Sequence, residues 1–189
     1  VRDFGSGKTG MTNVLRTSGK KVGAIVLLLD MSKAIVAIAL ARLFTDPAGV
    51  QSAAGLAALI GHNFPIFAGF RGGRGIATGW GGLFIFTPWA GLIATVIGVP
   101  LVFYSRYVSL GSIVGATAGA VSLIAFAVTG IVDRDFMWYG VVGVPMVIIR
   151  HHDNILRLIR GQERKLGAKA ESSTDSRDTK LGHVDNQDT

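Results

Sequence analysis

The chain has 189 residues, of which 49% are hydrophobic and only 16% charged, with 26 glycines and no cysteine. That balance excludes an ordinary soluble domain and predicts an all-α, polytopic membrane bundle, while the missing cysteine excludes disulfides, thiolate metal sites and thiol nucleophiles. The formal charge of +7 sits in a few loops, which speaks to membrane orientation and anionic headgroups and not to nucleic acid.

The first polar segment, Gly5-Ser6-Gly7-Lys8-Thr9-Gly10-Met11-Thr12-Asn13 with Arg16 after it, has the Gly-Lys-Thr end of a phosphate-binding loop. The full motif needs a glycine five positions before the glycine of Gly-Lys-Thr, and that position is Arg2, so nucleotide hydrolysis is set aside. What remains is a glycine-rich loop carrying Ser6, Thr12 and Asn13 as hydrogen-bonding groups and Lys8 and Arg16 as charges. It either meets an anion or anchors the helix predicted to begin at Val22.

Apolar runs follow at 22–44, 48–61, 76–104, 110–132 and 136–149. The first and fourth have the ~20 residues that span a bilayer. Within the first, Asp30 and Lys33 stand one helical turn apart and are expected to pair, either to pin two helices together or to serve function. The third run as one helix would measure about 44 Å at ~1.5 Å per residue, too long for a hydrocarbon core of ~30 Å. Pro88 near its middle predicts two short crossings, at 76–87 and 89–104. Six crossings then place the loops at 1–21, 62–75, 105–109 and 150 onward on one side, with most of the lysines and arginines, and the positive-inside rule makes that side cytoplasmic.

Between the second and third runs lies Gly61-His62-Asn63-Phe64-Pro65, closing with Arg71-Gly72-Gly73-Arg74-Gly75. Glycines that let backbone N–H groups approach an anion, beside two guanidinium forks, predict a phosphate site formed by Arg71, Gly72, Gly73, Arg74 and Gly75. His62 is expected mainly to brace the Asn-Phe-Pro turn. The third polar segment, Arg150-His151-His152-Asp153-Asn154, leaves the membrane as a helix with His151 and Asn154 on one face. Adjacent histidines diverge and no third ligand stands at helical spacing, so no metal is expected. Gly111, Gly115 and Gly119 repeat every fourth residue, predicting close helix packing inside the molecule, with a homodimer seam as the alternative. Residues 1–166 are read as one membrane domain and 167–189 as a disordered polar tail, in which the His183 and Asp188 spacing is set aside.

Taken together, Gly5-Ser6-Gly7 with Gly10, Thr12-Asn13 and Arg16, then Gly61 to Pro65 with Gly72-Gly73 and Ala77-Thr78, then His151 and Asn154-Ile155 with Arg157-Leu158, Gly161 and Glu163, resemble the three signature segments of the bacterial acyl-phosphate-dependent glycerol-3-phosphate acyltransferases, the PlsY family. The resemblance runs from about residue 2 to residue 163 and implies a multi-pass enzyme of the bacterial inner membrane. It implies that the enzyme acts at the cytoplasmic face, without cofactor, and moves an acyl group from acyl phosphate to glycerol-3-phosphate. In that reading Ser6, Arg16, His151 and Asn154 are catalytic, while Lys8, Thr12, Asn13 and the Arg71–Gly75 loop bind substrate phosphates. The family has lysine where Arg71 and Arg74 stand, asparagine at Lys8 and a small residue at Met11, and it carries a further helix before the first segment. Expected partners are the two substrates and membrane lipids, with the protein a monomer or weak homodimer. A small-anion transporter using the same basic loops is the alternative, although only Asp30 and Lys33 lie deep within a span.

Overall fold

The computed structural model describes residues 8–167, and among them seven α-helices and two single 3-10 turns form one helical bundle. Helix α1 spans Met11–Phe44, α2 Ala48–Asn63, α3 Ile76–Phe86, α4 Pro88–Ser105, α5 Val108–Val128, α6 Met137–Arg150 and α7 His152–Ile159.

Helix α1 begins eleven residues earlier than the apolar run, because Met11–Ser18 is already helical and joins the long helix through a break at Gly19. Gly19 takes φ +86°, a conformation open to glycine and costly for other residues. The short N-terminal piece folds back on the helix that follows. A Cβ on Gly23 would stand 3.2 Å from the Cα of Leu15, whereas eight residues of straight helix would separate the two by ~12 Å. Thr12, Asn13 and Arg16 are thereby returned toward the bundle interior instead of trailing along its surface.

The split at Pro88 is present. Thr87 alone is extended, Pro88 opens α4 at a position that needs no N–H, and the chain reverses. Trp80 Nε1 donates to the carbonyl of Gly91 at 3.2 Å and to Thr95 Oγ1 at 3.1 Å, which holds α3 against α4.

Helix directions alternate. His62, near the end of α2, approaches Asp30 of α1, and Arg42 donates to Gln51 near the start of α2. Ser52 donates to the carbonyl of Asp135, so α2 and α6 start at one end of the bundle, while Arg150 closes α6 against Gly72 and Gly73 at the other. Helices α4 and α5 meet along glycine: a Cβ on Gly115 would lie 2.8 Å from the Cα of Gly98, and one on Gly119 would meet Ala90 and Ala94. The every-fourth-residue glycine pattern thus serves packing within this chain.

Lipid tails are as apolar as leucine, so such a bundle is held by close packing and internal hydrogen bonds more than by the hydrophobic effect. Ile38 and Leu123 are fully buried in the core, and Phe86 stacks at 4.7 Å on Phe136 and 5.0 Å on Tyr139. The outside is apolar too, with Leu43, Phe44, Val96, Phe103 and Val128 exposed. Three helices, α1, α4 and α5, are long and apolar enough to cross a membrane. The other passes fall short, α2 having 16 residues, α3 11 and α6 14.

Candidate active site

At the end of the bundle where α2 and α6 finish, a cavity of ≈ 370 Å³ opens among the N-terminal segment, the start of α3, the start of α5 and the chain after α6. Its mouth is polar and cationic, with Lys8, Arg16, Arg74, His151, Asn154 and Glu163 in the wall. Its body runs between helices along Leu27, Leu83, Val99 and Val144 and reaches the exposed Phe103 at the bundle's outer face. Headgroup chemistry and a hydrocarbon slot thus share one enclosure.

His151 stands at the junction of α6 and α7 and is 2% exposed. Its Nδ1 lies 2.8 Å from the carbonyl of Val147. A carbonyl only accepts, so Nδ1 carries the proton and Nε2 is left as the acceptor. Burial, helped by the charge of Arg74 and opposed by the Val147 bond, holds the imidazole down at about 4, so it is neutral at physiological pH. One turn on, Asn154 is 3% exposed and donates through Nδ2 to Glu163 Oε1 at 2.7 Å. Its Oδ1 is buried and has no partner.

Glu163 is the residue that sequence reasoning left without a role. Its side chain is 7% exposed, and it also accepts from Ser109 Oγ at 2.9 Å and from Arg157 Nε at 2.8 Å. It ties α5, α7 and the chain beyond α7 together and fixes the amide of Asn154. Its place in the third signature segment marked it without a role, and its partner Ser109 lies 54 residues away.

Lys8, Thr12, Asn13 and Arg16 all line the cavity. Asn13 is buried and donates to the carbonyl of Lys8 at 3.0 Å, closing the loop that presents the lysine. Ser6 lies outside the described residues. Burial lowers the Lys8 ammonium below its ordinary range, with the charges of Arg150 and Arg74 adding to the effect. Arg74 is pushed down to about 10, by burial first and then by Arg157, while Glu163 and Asp153 oppose. Cations that depress one another at a half-enclosed mouth gain from an added anion.

The glycine loop differs from expectation. Arg74 and Gly75 line the cavity, but Arg71 is exposed and outside its wall. Gly72 and Gly73 also stay out of the lining, because their backbone is already used. Gly73 N–H donates to the carbonyl of His62 at 3.2 Å, and the two carbonyls accept from Arg150, at 2.8 Å for Gly73 and 3.3 Å for Gly72. Both glycines answer to packing: a Cβ on Gly72 would fall 2.1 Å from the carbonyl oxygen of His62, and one on Gly73 would fall 2.1 Å from His62 Nε2. Gly75, Ile76 and Ala77, the uncapped first turn of α3, do line the cavity. Arg150, absent from the expected site, is the clamp, its guanidinium also lying 4.9 Å over the ring of Phe64.

His62 is 5% exposed, its Nδ1 stands 3.4 Å from Asp30 Oδ1, and it lines the cavity. The expected pair is present as well, with Lys33 Nζ 2.6 Å from the same oxygen.

The sequence model of the family described as glycerol-3-phosphate acyltransferase matches residues 1–161. A glycerol-3-phosphate acyltransferase 3 of Dehalococcoides mccartyi (strain CBDB1) is 40% identical over 185 residues, covering 90% of this chain and 84% of the relative. A glycerol-3-phosphate acyltransferase of Anaeromyxobacter dehalogenans (strain 2CP-C) is 42% identical over 171 residues, covering 88% and 83%. Among solved structures, the chain resembles a crystal structure of PlsY (YgiH), an integral membrane glycerol 3-phosphate acyltransferase, in its glycerol 3-phosphate form. The TM-score is 0.77 and the identity 35%, over 88% of this chain and 82% of that one. The lysophosphatidic acid form of the same enzyme matches with a TM-score of 0.75 at 35% identity, over 86% and 81%.

Proposed function

The chain belongs to the glycerol-3-phosphate acyltransferase family of the integral membrane PlsY type, and on that premise we propose that its cavity joins an acyl phosphate to glycerol-3-phosphate, releasing lysophosphatidic acid and inorganic phosphate. One observation carries the reading: a cationic mouth and an apolar slot form a single cavity with a neutral, buried histidine in the polar wall.

An acyl phosphate is a mixed anhydride with a good leaving group, so the substrate hydroxyl attacks the acyl carbon directly. A C–O bond forms to the glycerol oxygen, the bond from acyl carbon to phosphate oxygen breaks, and phosphate departs with the electron pair. Two phosphates must be held close together while this happens, and Arg74, Lys8, Arg16 and the first turn of α3 supply the positive field that permits it. His151 Nε2 and Asn154 Oδ1 are acceptors in the polar wall that orient glycerol-3-phosphate through its two hydroxyls. A histidine held at about 4 is a weak base, so His151 orients the hydroxyl and a phosphate oxygen takes the proton. Ser6 and Thr12 remain candidates for the same mouth.

In this reading the bundle makes six crossings, with the short helices α2, α3 and α6 completing their passes among longer neighbours. The site faces the cytoplasm, because Lys20, Lys21, Arg71, Arg106, Arg160 and Lys165 flank it while the far end carries, of the described lysines and arginines, Arg42 and Arg134 alone. A cysteine-free chain makes this simple to check: with Arg71→Cys and Arg134→Cys in intact cells, an impermeant maleimide labels only the latter, and the reverse pattern inverts the topology. The enzyme acts as a monomer or weak homodimer, since the glycine stripe is spent internally.

The activity is tested with purified protein in detergent given acyl phosphate and glycerol-3-phosphate. Lysophosphatidic acid and phosphate form in equal amounts; a helical, folded sample that produces neither overturns the proposal.

A further inference from the structure

We propose that Asp30 and His62 are positioning residues for Arg74, setting from within the membrane where the guanidinium meets a substrate phosphate; this rests on reading the cavity as the phosphate site. A carboxylate inside a span is costly, and pairing with Lys33 does not by itself account for where this one lies. Lys33 is 49% exposed in its side chain and could be neutralised from the surface, whereas Asp30 is 7% exposed and directs Oδ1 also toward His62 Nδ1 at 3.4 Å.

The imidazole then acts on the loop. The site where a Gly73 Cβ would stand is filled by His62 Nε2, 2.1 Å away, and the carbonyl of His62 takes the N–H of Gly73. From the opposite side Arg150 draws in the carbonyls of Gly72 and Gly73. The peptide immediately before Arg74 is therefore held between α2 and α6, and the Asp30 contact fixes the ring on the α2 side. Without the carboxylate the imidazole is free to turn, and a shift of an ångström in Gly73 passes directly to its neighbour. Asp30 and His62 also line the cavity, so a direct role in the chemistry must be told apart from positioning.

The test is steady-state kinetics on purified Asp30→Asn, His62→Gln, Arg74→Ala and the double variant Asp30→Asn/Arg74→Ala. Arg74→Ala identifies which substrate the arginine binds by raising that KM. Asp30→Asn and His62→Gln raise the same KM about tenfold with kcat changed by less than roughly threefold, and the double variant is no worse than Arg74→Ala alone. The inference is overturned if Asp30→Asn leaves both KM values within about twofold of the parent, if its effect multiplies with that of Arg74→Ala, or if kcat falls with KM unchanged. Failure of both Asp30→Asn and His62→Gln to fold assigns the pair to the scaffold and overturns it too. Should the parent protein show no turnover, the acyltransferase reading falls by itself, and the same four variants are compared for affinity toward inorganic phosphate.

Discussion

Protonation of His151 is opposed by the fold, and the consequence is a pH-dependent stability that one substitution should remove. In the unfolded chain the imidazole titrates near 6.5; in the bundle it is held at about 4. The folded-state value is depressed, so the neutral form is the one the fold favours. The stability it contributes is complete above 6.5 and drains away as pH falls toward 4, because the unfolded state takes up the proton first. That gap corresponds to about 3 kcal/mol at ~1.4 kcal/mol per unit. For a protein of this size it is worth about 6–12 °C in melting temperature. Carboxylates also titrate in this window, so the measurement is a difference. His151→Asn keeps a donor near the Val147 carbonyl and removes the titrating ring. Between pH 7 and pH 4.5 about 2.4 kcal/mol of this is lost, so melting followed by circular dichroism in detergent should show the parent losing about 5–10 °C more than His151→Asn. Parallel losses in the two proteins would refute the argument that burial keeps this histidine neutral.

Arg74→Ala should raise the KM for one phosphorylated substrate by at least about tenfold, while Arg71→Ala, on an exposed residue outside the cavity, should stay within roughly twofold, as read by initial rates. Glu163→Gln presents an NH₂ to at least one of three donors, Ser109, Asn154 or Arg157, and should cost about 2–3 kcal/mol together with most of kcat, checked by melting and turnover. Gly72→Ala should destabilise more than Gly73→Ala, since its Cβ meets the backbone carbonyl of His62 and not a ring that can turn; detergent melting ranks them, and the reverse order would count against the loop geometry. Gly115→Val forces α4 away from α5 and should cost about 1–3 kcal/mol or more, seen as loss of folded protein in size-exclusion chromatography.

What the sequence made legible was local. Pro88 announces its break because it falls midway in a run too long for one crossing and a proline, lacking N–H, suits the first turn of a helix, whereas Pro100 and Pro145 are carried inside α4 and α6; the glycine period of α5 announces a close helix contact because small residues are what such contacts require. The start of α1 was not legible: Met11–Ser18 is polar and reads as loop, yet it is helical and folds back at Gly19 so that Leu15 packs on Gly23. Arg71 and Arg74 looked equivalent, since both flank the same two glycines. Their separation comes from contacts distant in sequence, with Arg150 reaching Gly73 across 77 residues and His62 filling the space beside it. For the same reason Glu163 showed as a member of the third signature segment but not as the anchor of Asn154. Its importance lies in the three donors it accepts from, Ser109 on α5 and Asn154 and Arg157 on α7.

The central claim is direct transfer between two substrates held in one cavity. Phosphate release is measured with the purified protein given acyl phosphate, with and without glycerol-3-phosphate, and lysophosphatidic acid is quantified in parallel. Phosphate should appear only when both substrates are present, matched mole for mole by lysophosphatidic acid, and His151→Asn should abolish both products. A burst of phosphate with acyl phosphate alone would mean an acyl-enzyme or simple hydrolysis and would contradict the account.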